Sequence, residues 1–143
     1  MTPPTETLHA CCVAINGQGV LIEGASGAGK SDLTLRLVDR GAELVSDDYT
    51  LLERDGAQLL GRAPVSIAGR IEIRGIGIVS LPYRKEVPVA MLVRIEPLPE
   101  RLPERPERRR VAGIELPVVA LPALEPSAPI KVELALRMLA AAA

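Results

Sequence analysis

Apolar positions follow two different rhythms along this chain. "HACCVAIN" (His9–Asn16), "GVLIEG" (Gly19–Gly24) and "VPVAMLVRIE" (Val87–Glu96) are short, nearly continuous apolar runs. Each reads as a strand, and "GVLIEG" has the pattern of a buried one. "NGQG" (Asn16–Gly19) predicts a hairpin turn between the first two. From Ser31 the spacing changes: Leu33, Leu35, Leu37 and Val38 sit among polar residues, and Gly41 closes the run. This predicts a helix with a glycine stop. "AELVSDD" (42–48) then predicts a strand ending in two acids, and "YTLLERDGAQLLGRA" (49–63) a hairpin around Asp55-Gly56. "IEIRGIGIVSL" (Ile71–Leu81) carries a glycine-rich centre between apolar flanks, and "IELPVVALP" (114–122) reads as one more strand. "SAPIKVELALRMLAAAA" predicts a C-terminal helix with Pro129 near its first turn.

Two stretches break both rhythms. Residues 1–7 read as a short frayed lead. Ten of the 13 prolines lie between Pro82 and Pro129, and residues 97–110 are proline-interrupted and charged. Such a segment cannot be a helix interior or a central strand, so it reads as a solvated loop. No internal repeat divides the chain. The expectation is one domain over residues 1–143, of α/β class: a mixed β core flanked by helices.

Composition narrows the function. The chain has 143 residues, 48% hydrophobic and 24% charged, which suits a folded domain rather than disorder. Tyr49 and Tyr83 are its only aromatic residues, so no platform for stacking single-stranded nucleic acid is offered. A net charge of -1 gives no basic field for nucleic acid or for a membrane surface. No apolar run reaches the roughly 18–20 residues of a membrane helix, and the first residues lack the pattern of a signal peptide. Cys11 and Cys12 are adjacent and cannot staple distant segments, so a reducing cytoplasm is the expected setting.

The candidate chemistry begins at Gly24. Gly24-Ala25-Ser26-Gly27-Ala28-Gly29-Lys30-Ser31 satisfies G-x-x-x-x-G-K-[ST] in full, between a predicted strand and a predicted helix. By average residue usage such a match arises by chance in roughly one chain of this length in two hundred. Glycines let successive backbone N–H groups converge on an anion at the positive end of a helix. Lys30 can then reach the β- and γ-phosphates of a nucleotide, and Ser31 can offer its hydroxyl to Mg²⁺.

Phosphoryl transfer also requires a metal, a charge clamp and a proton acceptor. Asp47 and Asp48 end the strand after the loop's helix, where one acid can serve the metal and the other act as base. An ordinary turn would use the same residues. Glu72 and Arg74 fall two apart in a predicted strand, on one face, where a plain ion pair is an equal reading. His9 is the sole histidine and by itself reads as a packed or surface residue. Cys11 and Cys12 read as small buried hydrophobes, and with one histidine they do not make a zinc site.

Together "GASGAGKS", "RGAELVSDDYT" and "IEIRGIGI" resemble the HPr kinase/phosphorylase family, in a short form lacking the N-terminal domain. The likeness is strongest from His9 to Ile78, and the last motif is its most specific part. It implies a phosphate-loop fold like that of the phosphoenolpyruvate carboxykinases. It also implies a bacterial serine kinase that uses ATP and Mg²⁺ to phosphorylate HPr, the phosphocarrier of the sugar phosphotransferase system. By this resemblance Gly24 to Ser31 cradle phosphate, Lys30 is catalytic, and Ser31 and Glu72 hold Mg²⁺. Asp48 matches the acid/base, with Asp47 and Arg74 supporting. His9 stands fifteen residues before Gly24, as the family's active-site histidine does, and Arg101 is the match for a later catalytic arginine. A homo-oligomer, in the family a hexamer, is also implied.

The family's reverse reaction is phosphorolysis of phosphoseryl HPr. It draws on a Pro-Gly-Arg-Asn-type loop, where this chain has "ELPVVALPALEPSAP", without Arg or Gly. Two other functions share the glycine loop: a nucleotide-sensing module without catalysis, and a small-molecule kinase. The second normally needs a basic mobile lid, and only the proline-broken "PERRR" is basic here.

Overall fold

The computed structural model describes residues 4–102 and 105–142. Its strands, in chain order, begin with β1 (Thr5–Leu8), β2 (Ala10–Ile15) and β3 (Gln18–Glu23). After helix α1 (Lys30–Asp39) come β4 (Glu43–Ser46), β5 (Thr50–Asp55) and β6 (Gln58–Arg62). Then follow β7 (Arg70–Ile73), β8 (Gly77–Ser80), β9 (Val87–Ile95), β10 (Glu107–Val111), β11 (Ile114–Leu121) and helix α2 (Ala128–Ala142).

Nine strands form one sheet in the order β1-β5-β6-β9-β3-β2-β4, with β11 also on β9 and β10 on β11. The sheet forks at β9. Its first residues pair with β6, and from Leu92 onward it pairs in parallel with β11. β7 and β8 form a separate hairpin.

β2, β3 and β9 are the apolar runs of the sequence, and they sit at the centre. Alternate residues feed two cores. Ala10, Cys12, Ala14 and Leu21 join Leu52, Leu59 and Leu116 on one side. Cys11, Val13, Val20 and Ile22 join Leu33 and Leu37 of α1 and Val132 and Leu136 of α2 on the other. Leu33 and Leu37 are one helical turn apart, so α1 lays a single stripe on the sheet. The helix stops as its sequence predicts. Gly41 turns to φ 111°, its N–H bonds Val38 O, and the Ala42 N–H reaches back to Leu37 O. That is the Schellman arrangement, which glycine makes without steric cost.

The predicted Asn16-Gly17 turn is present, with both residues at positive φ as a two-residue hairpin needs. The second hairpin turns on Gly56 and Ala57, one residue later than read.

Three expectations change. The expected frayed lead of residues 1–7 is partly a strand: Thr5–Leu8 pairs with β5, and the Glu6 carboxylate accepts the Ala112 N–H at 3.0 Å. Residues 1–3 lie outside the description. The expected loop of residues 97–110 gives way at Glu107 to edge strand β10, paired with β11 across an Ala112-Gly113 turn with both φ positive. Arg74 is not on a strand face with Glu72, because β7 ends at Ile73 and Arg74 stands exposed in the turn to β8.

β2 runs antiparallel to both β3 and β4, so those two point the same way. β9 and β11 also run parallel to β3. The ends of β3, β4, β9 and β11 and the start of β2 therefore share one edge of the sheet, where α/β proteins place their ligands.

Candidate active site

The glycine loop spans the gap between β3 and α1 at that edge. Gly27 and Gly29 have φ of 80° and 102°, a region costly for side-chain-bearing residues. Gly29 is also crowded, since a Cβ there would meet Leu124 Cδ2 at 3.3 Å and Ala123 Cβ at 3.4 Å. The 122–127 connection is held against α1 by Arg36, whose guanidinium bonds the carbonyls of Ala123 and Glu125. Gly29 is the N-cap of α1 and offers no side chain to its first-turn amides. Those N–H groups are thus left for an anion, at the positive end of the helix dipole. Lys30 is 7% exposed, and its ammonium folds back on the carbonyls of Gly24 (2.8 Å) and Ala25 (3.2 Å). It therefore stands over the loop that it would serve.

Asp47 is 6% exposed and takes three donors. Its Oδ1 accepts the Ser31 hydroxyl at 2.7 Å and the Cys11 thiol at 3.3 Å, and its Oδ2 accepts the Glu72 N–H at 3.0 Å. One carboxylate thus ties together the glycine loop, the central sheet and the β7–β8 hairpin. Asp48, the next residue, is left-handed at φ 69°. Its carboxylate lies 2.7 Å from His9 Nε2, with side chains 56% and 44% exposed respectively. The His9 ring stacks on Tyr49, centroids 4.8 Å apart. The bend is tightened by a Tyr49 N–H to Asp47 O bond of 2.8 Å and by the Ser46 hydroxyl on Tyr49 O.

Of the residues proposed from sequence, Gly24–Ser31, Asp47, Asp48, Glu72 and His9 converge at this edge. Arg74 and Arg101 do not join their hydrogen-bond network. Arg101 lies in an exposed bend after β9. Sequence reasoning missed Cys11, taken for a plain hydrophobe. Nothing in the residues around it marks its contacts, which are with Asp47 and Asp48, 36 and 37 positions away.

The donors suit Mg²⁺, a hard cation that keeps several waters and needs one or two carboxylates beside phosphate oxygens. The Ser31 hydroxyl lies here against the Asp47 carboxylate, and Glu72, the carboxylate the resemblance offers for the metal, meets the site through its backbone N–H. Among the described residues no group of three His, Cys, Asp or Glu side chains could hold a metal alone, so this site would need the nucleotide's oxygens as well. Beside the loop, β3 ends in Glu23, which pairs with Arg109 of β10. Arg94 of β9 pairs with Glu96 and Glu107, and its guanidinium holds the Glu107 carboxyl below the usual range. No helix among the described residues is long and apolar enough to cross a membrane.

Fold and site together define a class: mixed α/β proteins with a glycine-rich phosphate loop between a central strand and a helix, backed by a buried carboxylate. Within that class the match is specific. The model of the HPr Serine kinase C-terminal domain covers residues 2–134, and the chain belongs to that family. The HPr kinase/phosphorylase of Brevibacillus brevis is 37% identical over 132 residues, 83% of this chain and 42% of the relative. That of Azoarcus sp. is 35% identical over 130 residues, 81% of this chain and 42% of the relative. The chain thus spans about two fifths of the length of these relatives. The structure of the Hpr(Ser) kinase/phosphatase from Coxiella burnetii superposes with a TM-score of 0.81 at 32% identity, over 93% of this chain and 95% of that one.

Proposed function

We propose that this chain is the catalytic core of an ATP- and Mg²⁺-dependent kinase that phosphorylates a seryl hydroxyl of HPr and so regulates the phosphotransferase system. The observation that carries the reading is the Ser31–Asp47 hydrogen bond. It fixes the acid pair against the loop that would hold the transferred phosphate. Family membership and the names of the relatives support the choice of acceptor.

In this reading the Gly24–Ser31 amides and the Lys30 ammonium hold the β- and γ-phosphates, Lys30 leaving its two carbonyls to do so. Ser31 and Glu72 hold Mg²⁺, which supplies neutralisation of phosphate charge. Asp47 orients the Ser31 hydroxyl. The Asp48 carboxylate accepts the proton of the incoming serine as its oxygen bonds the γ-phosphorus and the bond to the ADP oxygen breaks. His9 holds that carboxylate in place, stacked on Tyr49. Arg101 is the residue that the resemblance offers as a late charge clamp, and it would have to swing in from its exposed bend. Cytoplasmic residence and a homo-oligomer, a hexamer by resemblance, belong to the same reading. Reverse phosphorolysis is the second activity the resemblance offers, and the β11–α2 connection, which carries no Arg or Gly, is the feature that bears against it.

The test is incubation with radiolabelled ATP, Mg²⁺ and HPr, scored for acid-stable phosphoserine. Wild-type transfer, reduced by at least about a hundredfold in Lys30→Ala, is expected. ATP binding without transfer points to a sensing module, and label on a metabolite alone points to a small-molecule kinase. Either result overturns the proposal.

A further inference from the structure

Cys11 lies at the centre of the acid bend without being one of its acids. It sits in β2, 0% exposed, and touches both aspartates at once. Its thiol donates to Asp47 Oδ1 at 3.3 Å and accepts the backbone N–H of Asp48 at 3.4 Å. One buried sulfur thus bridges a side-chain oxygen of the first aspartate and the main chain of the second.

The bend needs such a hold. Asp48 is a non-glycine residue at φ 69°, a conformation that persists only where neighbours over-determine it. Two of its restraints, Tyr49 N–H on Asp47 O and Ser46 Oγ on Tyr49 O, come from within the bend itself. His9 reaches only the Asp48 side-chain oxygen, and from an exposed position. Among the described residues Cys11 alone grips the Asp48 backbone from a neighbouring strand. It also bonds the carboxylate that accepts Ser31. The series Ser31–Asp47–Cys11–Asp48 therefore couples the glycine loop to the main chain of the residue proposed as base. An apolar residue would fill the same space and leave the Asp48 N–H without an acceptor.

We propose that Cys11 is a positioning residue. Its thiol locks the left-handed Asp48 and so aims the Asp48 carboxylate relative to the glycine loop. The proposal rests on Asp48 being the proton acceptor of the kinase reading. It extends that reading to a residue that touches neither nucleotide nor acceptor.

Cys11→Ser keeps a donor and an acceptor at that point, while Cys11→Val fills the space and offers neither. The experiment measures HPr phosphorylation kinetics and the exchange rate of the Asp48 amide in both variants. In Cys11→Val, kcat is expected to fall about tenfold with the KM for ATP held within about twofold. Cys11→Ser is expected to recover at least about half of that loss on a logarithmic scale, whichever variant has the higher Tm. A mere packing role would make kcat follow Tm. The Asp48 amide is expected to exchange at least about tenfold faster in Cys11→Val than in wild type, with Cys11→Ser between them. Cys11→Val equal to or faster than Cys11→Ser in kcat, or Asp48 exchange in Cys11→Val within about twofold of wild type, overturns the proposal. Exchange needs no transfer. If wild-type protein fails to phosphorylate HPr, the kinase reading falls and the exchange rates still decide whether the thiol holds the bend.

Discussion

Truncating Asp47 tests the frame beneath the site. Its carboxylate is buried and accepts Ser31, Cys11 and the Glu72 amide, so Asp47→Ala strands all three donors. Hydrogen bonds to a charged partner contribute about 1.5–3 kcal/mol each, and the longer thiol bond about 0.5–1. The gross loss is then about 3.5–7 kcal/mol. Relief of a buried charge and entry of water at the part-buried Ser31 offset about half, leaving a net cost of about 2–4 kcal/mol. For a domain of this size about 4 °C accompanies each kcal/mol, so Tm drops by about 8–16 °C. Asp47→Asn separates structure from charge. An amide can offer its oxygen to the Glu72 N–H and its NH₂ to Ser31 and Cys11, each of which can turn to accept. That variant costs about 1 kcal/mol or less. Both variants lose the negative charge, and both are expected to bind MgATP about tenfold more weakly. Calorimetric melting and nucleotide titration read the two effects separately. A Tm for Asp47→Ala within about 2 °C of wild type refutes the reasoning, as does Asp47→Asn melting as low as Asp47→Ala.

Gly29→Ala forces a side chain onto a backbone at φ 102° and against Leu124 and Ala123. Strain of about 1–3 kcal/mol is expected, read as a lower denaturant midpoint together with weaker ATP binding, whereas unchanged values refute the crowding. The thiols give a pH signature: burial pushes Cys11 up from 9.0 to about 11 and raises Cys12 as well. Both stay protonated in the fold while an unfolded chain ionises them near pH 9, so stability is intact below that pH and falls as pH rises. The slope is about 1.4 kcal/mol per unit for each thiol. Guanidinium unfolding between pH 8 and 10.5 should show a shallower fall in Cys12→Val than in wild type, and parallel curves contradict the assignment.

Several turns and helix ends of the fold were legible in the sequence because each is decided locally. The glycine loop, the Gly41 stop and the Asn16-Gly17 turn each announce themselves within a few residues, since each depends on a backbone conformation that one residue type adopts at low cost. β10 was not legible. Glu107, Arg108, Arg109 and Arg110 show no alternation, because an edge strand need not bury one face continuously, and its pairing with β11 comes from tertiary context. β1 was hidden similarly, its Thr-Glu-Thr run being polar until it meets β5. Arg74 was misplaced because a two-residue period was carried through Gly75, where the chain turns instead. Cys11 was missed for a different reason. Its role lies in contacts with residues 36 and 37 positions away, and nothing in "HACCVAIN" distinguishes a thiol that binds two aspartates from one that fills space.

The central claim is that Asp48 takes the proton of the attacking serine. The most direct measurement is the single-turnover rate of HPr phosphorylation by Asp48→Asn at saturating MgATP. The account predicts a fall of about 10²–10⁴ with ATP affinity kept within a few-fold. A rate within about threefold of wild type contradicts it.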